Sequence, residues 1–123
     1  MGKKQILIAE DEHATSYAMD EFLKLSGYET FLAKDGSEAV SKARDTKPDL
    51  VLMDVEMPKL NGFEACQCIK RDPTLKDVRV MMVSSLNSGG DIEKAYDVGA
   101  SDYLNKPFNF DKLLQKINSL IDD

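Results

Sequence analysis

The run Pro48-Asp49-Leu50-Val51-Leu52-Met53-Asp54-Val55-Glu56-Met57-Pro58-Lys59-Leu60-Asn61-Gly62 decides how the chain is read. Leu50 to Met53 is an unbroken apolar stretch of strand length, the pattern of a strand buried on both faces of a parallel sheet. It stops at the Asp54 carboxylate, and a loop with Pro58 and Asn61-Gly62 follows. Open parallel sheets bind ligands in the crevice beyond the carboxyl ends of their strands, so Asp54 stands where chemistry is expected.

The rest of the chain repeats this grammar. Gln5 to Ala9 is a second apolar strand, and it also ends in acid, Glu10-Asp11-Glu12. Residues 28–33, 78–83 and 102–104 supply three more strands by their β-branched, aromatic and aliphatic content. Helical spacing predicts helices over residues 13–26 and 37–45, over about ten residues after Asn61-Gly62, over 91–98, and from Asn109 to the chain end. The first carries Ala14, Ala18, Phe22 and Leu25 as its apolar stripe; the second buries Ala39, Val40 and Ala43; the third buries Ala65, Cys66 and Ile69. The last carries Leu113, Leu114, Ile117 and Leu120 behind Asn109 as N-cap, and 84–90 is read as a mobile loop. Strands alternating with helices give an α/β domain with a parallel sheet and right-handed crossovers, whose strand order the spacing leaves open.

Composition bounds the function. The 123 residues fit one domain, and 42% hydrophobic with 31% charged residues is a soluble globular balance. No apolar run approaches a membrane span, and the short stretch 6–9 runs straight into acid, unlike a secretory leader, so a cytoplasmic location is expected. The net charge of -6 argues against direct nucleic-acid binding. Cys66 and Cys68, two apart on a helix, point to different sides, which argues against a disulfide framework, and a metal site of them is remote. His13 is read as a helix-start residue, and Met53, Met81 and Met82 as strand core.

Collected at one sheet edge, the strand exits give Glu10 and Asp11, then Asp54, then Ser84, then Lys106. Any one of these can be a solvated loop residue. Three carboxylates on one edge repel each other unless a hard divalent cation sits among them, and Mg2+ (or Mn2+ or a similar ion) suits an all-oxygen donor set. Opposite them, Lys106 can neutralise a phosphoryl group and the Ser84 hydroxyl can donate to it, with Asp54 as nucleophile forming an acyl phosphate.

Glu10-Asp11, Asp54-x-x-Met57-Pro58-x-x-Asn61-Gly62, Val83-Ser84-Ser85, Gly99-Ala100-x-x-Tyr103 and Lys106-Pro107-Phe108, in this order, resemble the receiver domain of two-component response regulators. The resemblance covers essentially all of residues 1–123, with no output domain expected within them. It implies a flavodoxin-like (βα)5 three-layer sandwich with sheet order 2-1-3-4-5. It implies that Asp54 takes a phosphoryl group from the phosphohistidine of a sensor histidine kinase or a histidine phosphotransfer protein. Asp11 and Asp54 would ligate Mg2+ with the backbone carbonyl of Glu56, and Glu10 would act through water. A cis Lys106-Pro107 bond is implied as well. Ser84 would move toward the phosphoryl oxygens and Tyr103 would turn inward into the space released. The face of helix 4, strand 5 and helix 5 would thereby change for a downstream protein the sequence does not identify, in a monomer or a phosphorylation-dependent dimer. Serine at 84 departs from the commoner threonine, and Glu56 and Leu86 stand where similar proteins tune phosphate lifetime.

Three rivals are weaker. A magnesium-dependent aspartyl-phosphate phosphohydrolase of the dehalogenase-like kind wants Asp two and Thr four positions after the nucleophile, where this chain has Glu56 and Pro58. A flavin or nucleotide carrier lacks its glycine-rich phosphate loop. A phosphorylation-independent scaffold leaves the acids, Ser84 and Lys106 without a use. The expectation is therefore a switch, not a turnover enzyme on external substrates.

Overall fold

In the run Leu50–Met53, Leu50 and Leu52 enter one apolar layer while Val51 and Met53 enter another. Ile6 and Ile8 divide from Leu7 and Ala9 in the same way. This two-residue alternation into two cores explains the unbroken apolar runs: both faces of the sheet are covered. The computed structural model describes residues 2–121. Its strands are β1 (Gln5–Ala9), β2 (Glu29–Ala33), β3 (Leu50–Met53), β4 (Arg79–Ser84) and β5 (Asp102–Asn105). Its helices are α1 (His13–Leu25), α2 (Gly36–Thr46), α3 (Gly62–Arg71), α4 (Gly89–Asp97) and α5 (Phe110–Ile121), with a 3-10 turn at Pro73–Leu75.

All pairings are parallel, in the order β2-β1-β3-β4-β5. Met19 and Leu23 of α1 and Leu113 and Ile117 of α5 close one face. Ala39 and Ala43 of α2, Ala65 and Ile69 of α3 and Ala95 of α4 close the other. The result is the three-layer, flavodoxin-like arrangement expected from the resemblance. Its consequence for chemistry is that β1 and β3 lie side by side, with Ala9 opposite Met53, so the acids that follow them meet.

The structure corrects the reading of α1. Its buried face is Ser16, Met19, Asp20 and Leu23; Ala14 and Ala18 are exposed and Leu25 is 85% exposed. The buried Asp20 escaped notice because its polarity is locally satisfied: Thr30 Oγ1 donates to it at 2.5 Å and Lys24 pairs with it at 3.1 Å. Helix α4 also begins earlier than expected. Ser88 caps it, accepting from Asp91 N while Asp91 reaches back to Ser88 N, which draws Gly89 and Gly90 into the first turn. Asp35 likewise caps α2 by accepting from Glu38 N, and Asn109 caps α5 through Lys112 N. The expected run of α5 to the chain end lies outside the described residues at 122 and 123. Cys66 is buried and Cys68 exposed, on separate sides of α3. Among the described residues no helix is long and apolar enough to cross a membrane.

Leu52, 1% exposed between the sheet and the α1/α5 layer, and Leu25, 85% exposed, make a paired test of this packing. Leu52→Ala is expected to lower unfolding free energy by about 2–5 kcal/mol, and Leu25→Ala to leave it within about 0.5 kcal/mol, both read from urea titrations.

Candidate functional site

Backbone pairing fixes the site before any side chain acts. The sheet ladder runs one residue past β3, β1 and β5: Asp54 N donates to Ala9 O at 2.9 Å, Glu10 N to Ala33 O at 3.0 Å, and Lys106 N to Ser84 O at 2.9 Å. The loop after Asp54 turns back at once, with Gly62 N donating to Val55 O at 2.8 Å. Only glycine fits there, since a Cβ on Gly62 would lie 2.3 Å from the Asp54 carbonyl oxygen.

Glu10, Asp11 and Asp54 each bring a carboxylate oxygen to a point where all three lie within 4.8 Å of one another. Glu10 and Asp54 are buried and Asp11 is exposed. Lys106 reaches over from β5: its Nζ lies 2.6 Å from Glu10 Oε1 and 3.4 Å from Asp54 Oδ2. One ammonium faces three carboxylates, and the excess negative charge shows in Asp54. Burial, then the charge of Glu10 and a hydrogen bond with it, push the Asp54 carboxyl up to about 7, against the opposing pull of Lys106 and of Glu56 N. Partial burial works against the Lys106 charge, but its bond to Glu10 and the field of Asp54 win and raise its pKa. All donors in the cluster are hard oxygens, which fits Mg2+ or Mn2+ and not a soft metal.

The loops around the cluster are tied more closely than the sequence indicates. Glu56 N donates to Asp54 Oδ1 at 3.2 Å, while the Glu56 carboxylate accepts from Ser85 Oγ at 3.0 Å. Glu56 therefore links the β3–α3 loop to the β4–α4 loop. Ser84 is fully buried and its oxygen accepts from Leu86 N at 3.1 Å; among the described residues, no hydrogen bond joins it to Asp54. Tyr103 is already inward, 7% exposed, with its hydroxyl donating to Leu86 O, an acceptor shared with Asn105 Nδ2 at 3.2 Å. The position that the resemblance reserves for the phosphorylated state is the one seen here. Burial pushes the Tyr103 phenol up, and the Ser84 hydroxyl works the other way. The Lys106-Pro107 bond is cis.

Beside the cluster, Ala14, Ala18, Ser85, Lys106, Pro107 and Phe108 line an open recess of about 500 Å³. Phe110 also lines it and stacks on Phe22 with centroids 4.6 Å apart. The apolar stripe of α1 is thus in part an open apolar wall. Alternation of apolar residues can announce such a stripe but not which layer it meets.

Comparison with known proteins agrees with this geometry. The family model of the response regulator receiver domain matches residues 6–118. The polar-differentiation response regulator DivK of Brucella anthropi is 32% identical over 120 residues, covering 98% of each chain. The DNA-binding dual master transcriptional regulator RpaA of Synechocystis is 35% identical over 117 residues, covering 95% of this chain but 48% of that protein, so this chain spans about half of RpaA. Among solved structures, the receiver domain of the sensor histidine kinase PA1611 of Pseudomonas aeruginosa superposes with a TM-score of 0.90 at 29% identity, covering 100% of both chains. That structure has a magnesium ion coordinated in its active site cleft.

The Asp54 shift sets a pH dependence. Its folded pKa of about 7 exceeds the ordinary 3.8, so the folded state keeps the proton longer than the unfolded state. Stability from this group is present below about 3.8 and is lost as pH rises through about 7. In the presence of a chelator, Asp54→Asn is expected to match the wild type near pH 4 and to be more stable above pH 7. The gain is about 1–2 kcal/mol after discounting for solvent screening at the open mouth, read from melting curves across pH.

Proposed function

The chain belongs to the response regulator receiver domain family and is a receiver domain of two-component signalling, and on that premise we propose that it is a phosphorylation-activated switch whose acceptor is Asp54. The observation that carries the reading is the Glu10, Asp11 and Asp54 carboxylates gathered within 4.8 Å with Lys106 Nζ bridging two of them. Asp11 and Asp54 would hold Mg2+ together with the Glu56 carbonyl, and Glu10 would act through water. When bound, the cation supplies positive charge that offsets the carboxylates and the arriving phosphoryl oxygens.

The donor is a phosphohistidine on a sensor histidine kinase or a histidine phosphotransfer protein. An Asp54 carboxylate oxygen forms the new O–P bond while the P–N bond breaks and the imidazole nitrogen leaves with the electron pair. Lys106 follows the transferred group, exchanging its contact with Asp54 for one to a phosphoryl oxygen. The Ser84 hydroxyl, now held against Leu86 N, turns to donate to another oxygen. The apolar recess between Ala14, Ala18 and Phe108, opening beside Lys106, suits the docking of an apolar helix that presents the donor histidine.

Output follows from the same loop. Ser84 and Leu86 connect the phosphoryl site to Tyr103 and Asn105 on β5. Asp102, at the start of β5, receives Lys116 of α5 at 3.1 Å and Tyr96 of α4 at 3.4 Å. A phosphoryl group that favours one arrangement of residues 84–86 shifts the population of this α4–β5–α5 face, where a downstream protein binds.

With Mg2+ and a small acyl phosphate as donor, intact-mass analysis is expected to show one added phosphate on the wild type and none on Asp54→Asn. Lys106→Ala is expected to slow labelling roughly 10- to 100-fold. The same one-phosphate shift in Asp54→Asn would overturn the assignment, and sustained turnover of assorted phosphate esters by the wild type would favour a phosphohydrolase.

A further inference from the structure

The β3–α3 loop carries Asp54 and Glu56, yet its far limb is held by a part of the chain that contributes no group to the acidic cluster. That limb ends at Lys59 and Leu60, and it rests on the turn between β2 and α2. At Gly36 the two backbones meet so closely that an added Cβ would lie 1.7 Å from the Leu60 carbonyl oxygen, 2.5 Å from its carbon and 2.8 Å from the Leu60 Cβ. The obstruction is main chain, not the tip of a flexible side chain. Next to it, Lys59 Nζ lies 3.6 Å from Asp35 Oδ2, and Asp35 is itself anchored by accepting from Glu38 N at 2.7 Å. Lys59 has φ +67, a left-handed conformation that a non-glycine residue keeps only where its surroundings enforce it.

We propose that Gly36 and Asp35 are positioning residues for the acidic site: the β2–α2 turn is a buttress that sets where the Glu56 carbonyl stands, and through it the affinity for a divalent cation. The inference rests on the reading above in which that carbonyl is a cation ligand. The loop has little slack with which to absorb a push. Its base is closed by Gly62 N on Val55 O at 2.8 Å, and Glu56 N is fixed on Asp54 Oδ1 at 3.2 Å. Between Glu56 and Leu60 stands Pro58, whose φ is locked. Helix α2 cannot retreat either, because Ala39 and Ala43 are fully buried against the core. A side chain at position 36 therefore moves Leu60, and the movement passes along residues 57–59 to Glu56. Asp35 and Lys59 resist the same movement from the solvent side.

The test is Mg2+ affinity by isothermal titration calorimetry on the unphosphorylated protein, with urea unfolding in parallel. Gly36→Ala is expected to weaken Mg2+ binding about tenfold. Gly99→Ala is the control. Gly99 has φ +106, and a Cβ there would meet the Lys70 side chain at 2.7 Å, so the variant strains the fold without touching the loop. It is expected to bind Mg2+ within about twofold of the wild type. Lys59→Ala supplies a sign. Removing a cation near acids tightens cation binding by charge alone, whereas removing half of a clamp weakens it, and a loss of about two- to threefold is expected.

Gly36→Ala binding as the wild type does, or Gly99→Ala weakening to the same extent, would overturn the buttress. Should Gly36→Ala not fold, Lys59→Ala decides alone: weaker binding supports the inference, and unchanged or tighter binding sinks it. A wild type that binds no Mg2+ would sink the cation reading itself and the buttress with it, whereas equal binding by wild type and Gly36→Ala removes only the buttress.

Discussion

Negative charge confined at the end of a buried sheet is the constraint on which this molecule turns. Glu10 and Asp54 are nearly out of water, Asp11 stands beside them, and among the described residues Lys106 is the one ammonium that bridges the pair. Burying a charge without compensation is costly, and one ammonium compensates only part of three carboxylates. Burial first, and the repulsion of Glu10 after it, push the Asp54 carboxyl up to about 7. A site in this condition gains from any added positive charge and from any event that replaces the Asp54 anion with a group held by several donors. A divalent cation would be the first kind of relief, and the proposed acyl phosphate under Lys106 and Ser84 the second.

The fold exists, in this sense, to prevent the repulsion from relaxing. Exposed acids would swing apart into water. Here Asp54 and Glu10 are pinned by ladder bonds to Ala9 and Ala33, and Lys106 by its bond to Ser84. Their separations are therefore set by strand spacing and not by side-chain preference. The order β2-β1-β3 is what makes β1 and β3 neighbours, and the two apolar layers that cover the sheet make that order rigid. A pair of loops completes the enclosure, Glu56 reaching Ser85 across the mouth while Asp35 and Gly36 back the loop from behind.

How much of this the chain declares depends on whether a feature is local. The strands are legible because a doubly covered strand must be apolar at every position, as Leu50 to Met53 and Ile6 to Ala9 are. The acids at their ends are legible for the complementary reason: a charge directly after such a run is conspicuous. The exposed side of α1 was not legible, because Ala14, Ala18, Phe22 and Leu25 make a proper helical stripe, and only the neighbouring Phe108 and Phe110 show that part of it lines an open recess. Asp20 misleads in the opposite direction, a charged residue buried because Thr30 from another element pairs with it. The start of α4 at Gly89 was hidden by its two glycines, whose weak helix propensity is overridden by the Ser88–Asp91 capping box. The Glu56–Ser85 and Asp35–Lys59 links join residues from different loops, and nothing in spacing along one chain announces such pairs.

The position of Tyr103 bears on what kind of switch this is. An outward tyrosine would make its swing the event that reports phosphorylation. Here the ring is already buried and its hydroxyl already occupies the Leu86 carbonyl, which also accepts from Asn105. A phosphoryl group then has no new pocket to open for Tyr103. What is left for it to change is the Ser84 hydroxyl, whose partner is Leu86 N in the same three-residue loop. Drawing Ser84 toward Asp54 exchanges one bond of that loop while Tyr103 and Asn105 hold its other end. The loop is thus strung between two anchors, and under the proposed function a phosphoryl group would act by changing the relative weight of its arrangements. Leu86 joins the two ends: its amide donates to Ser84 at the acidic site and its carbonyl accepts from Tyr103 and Asn105 of β5.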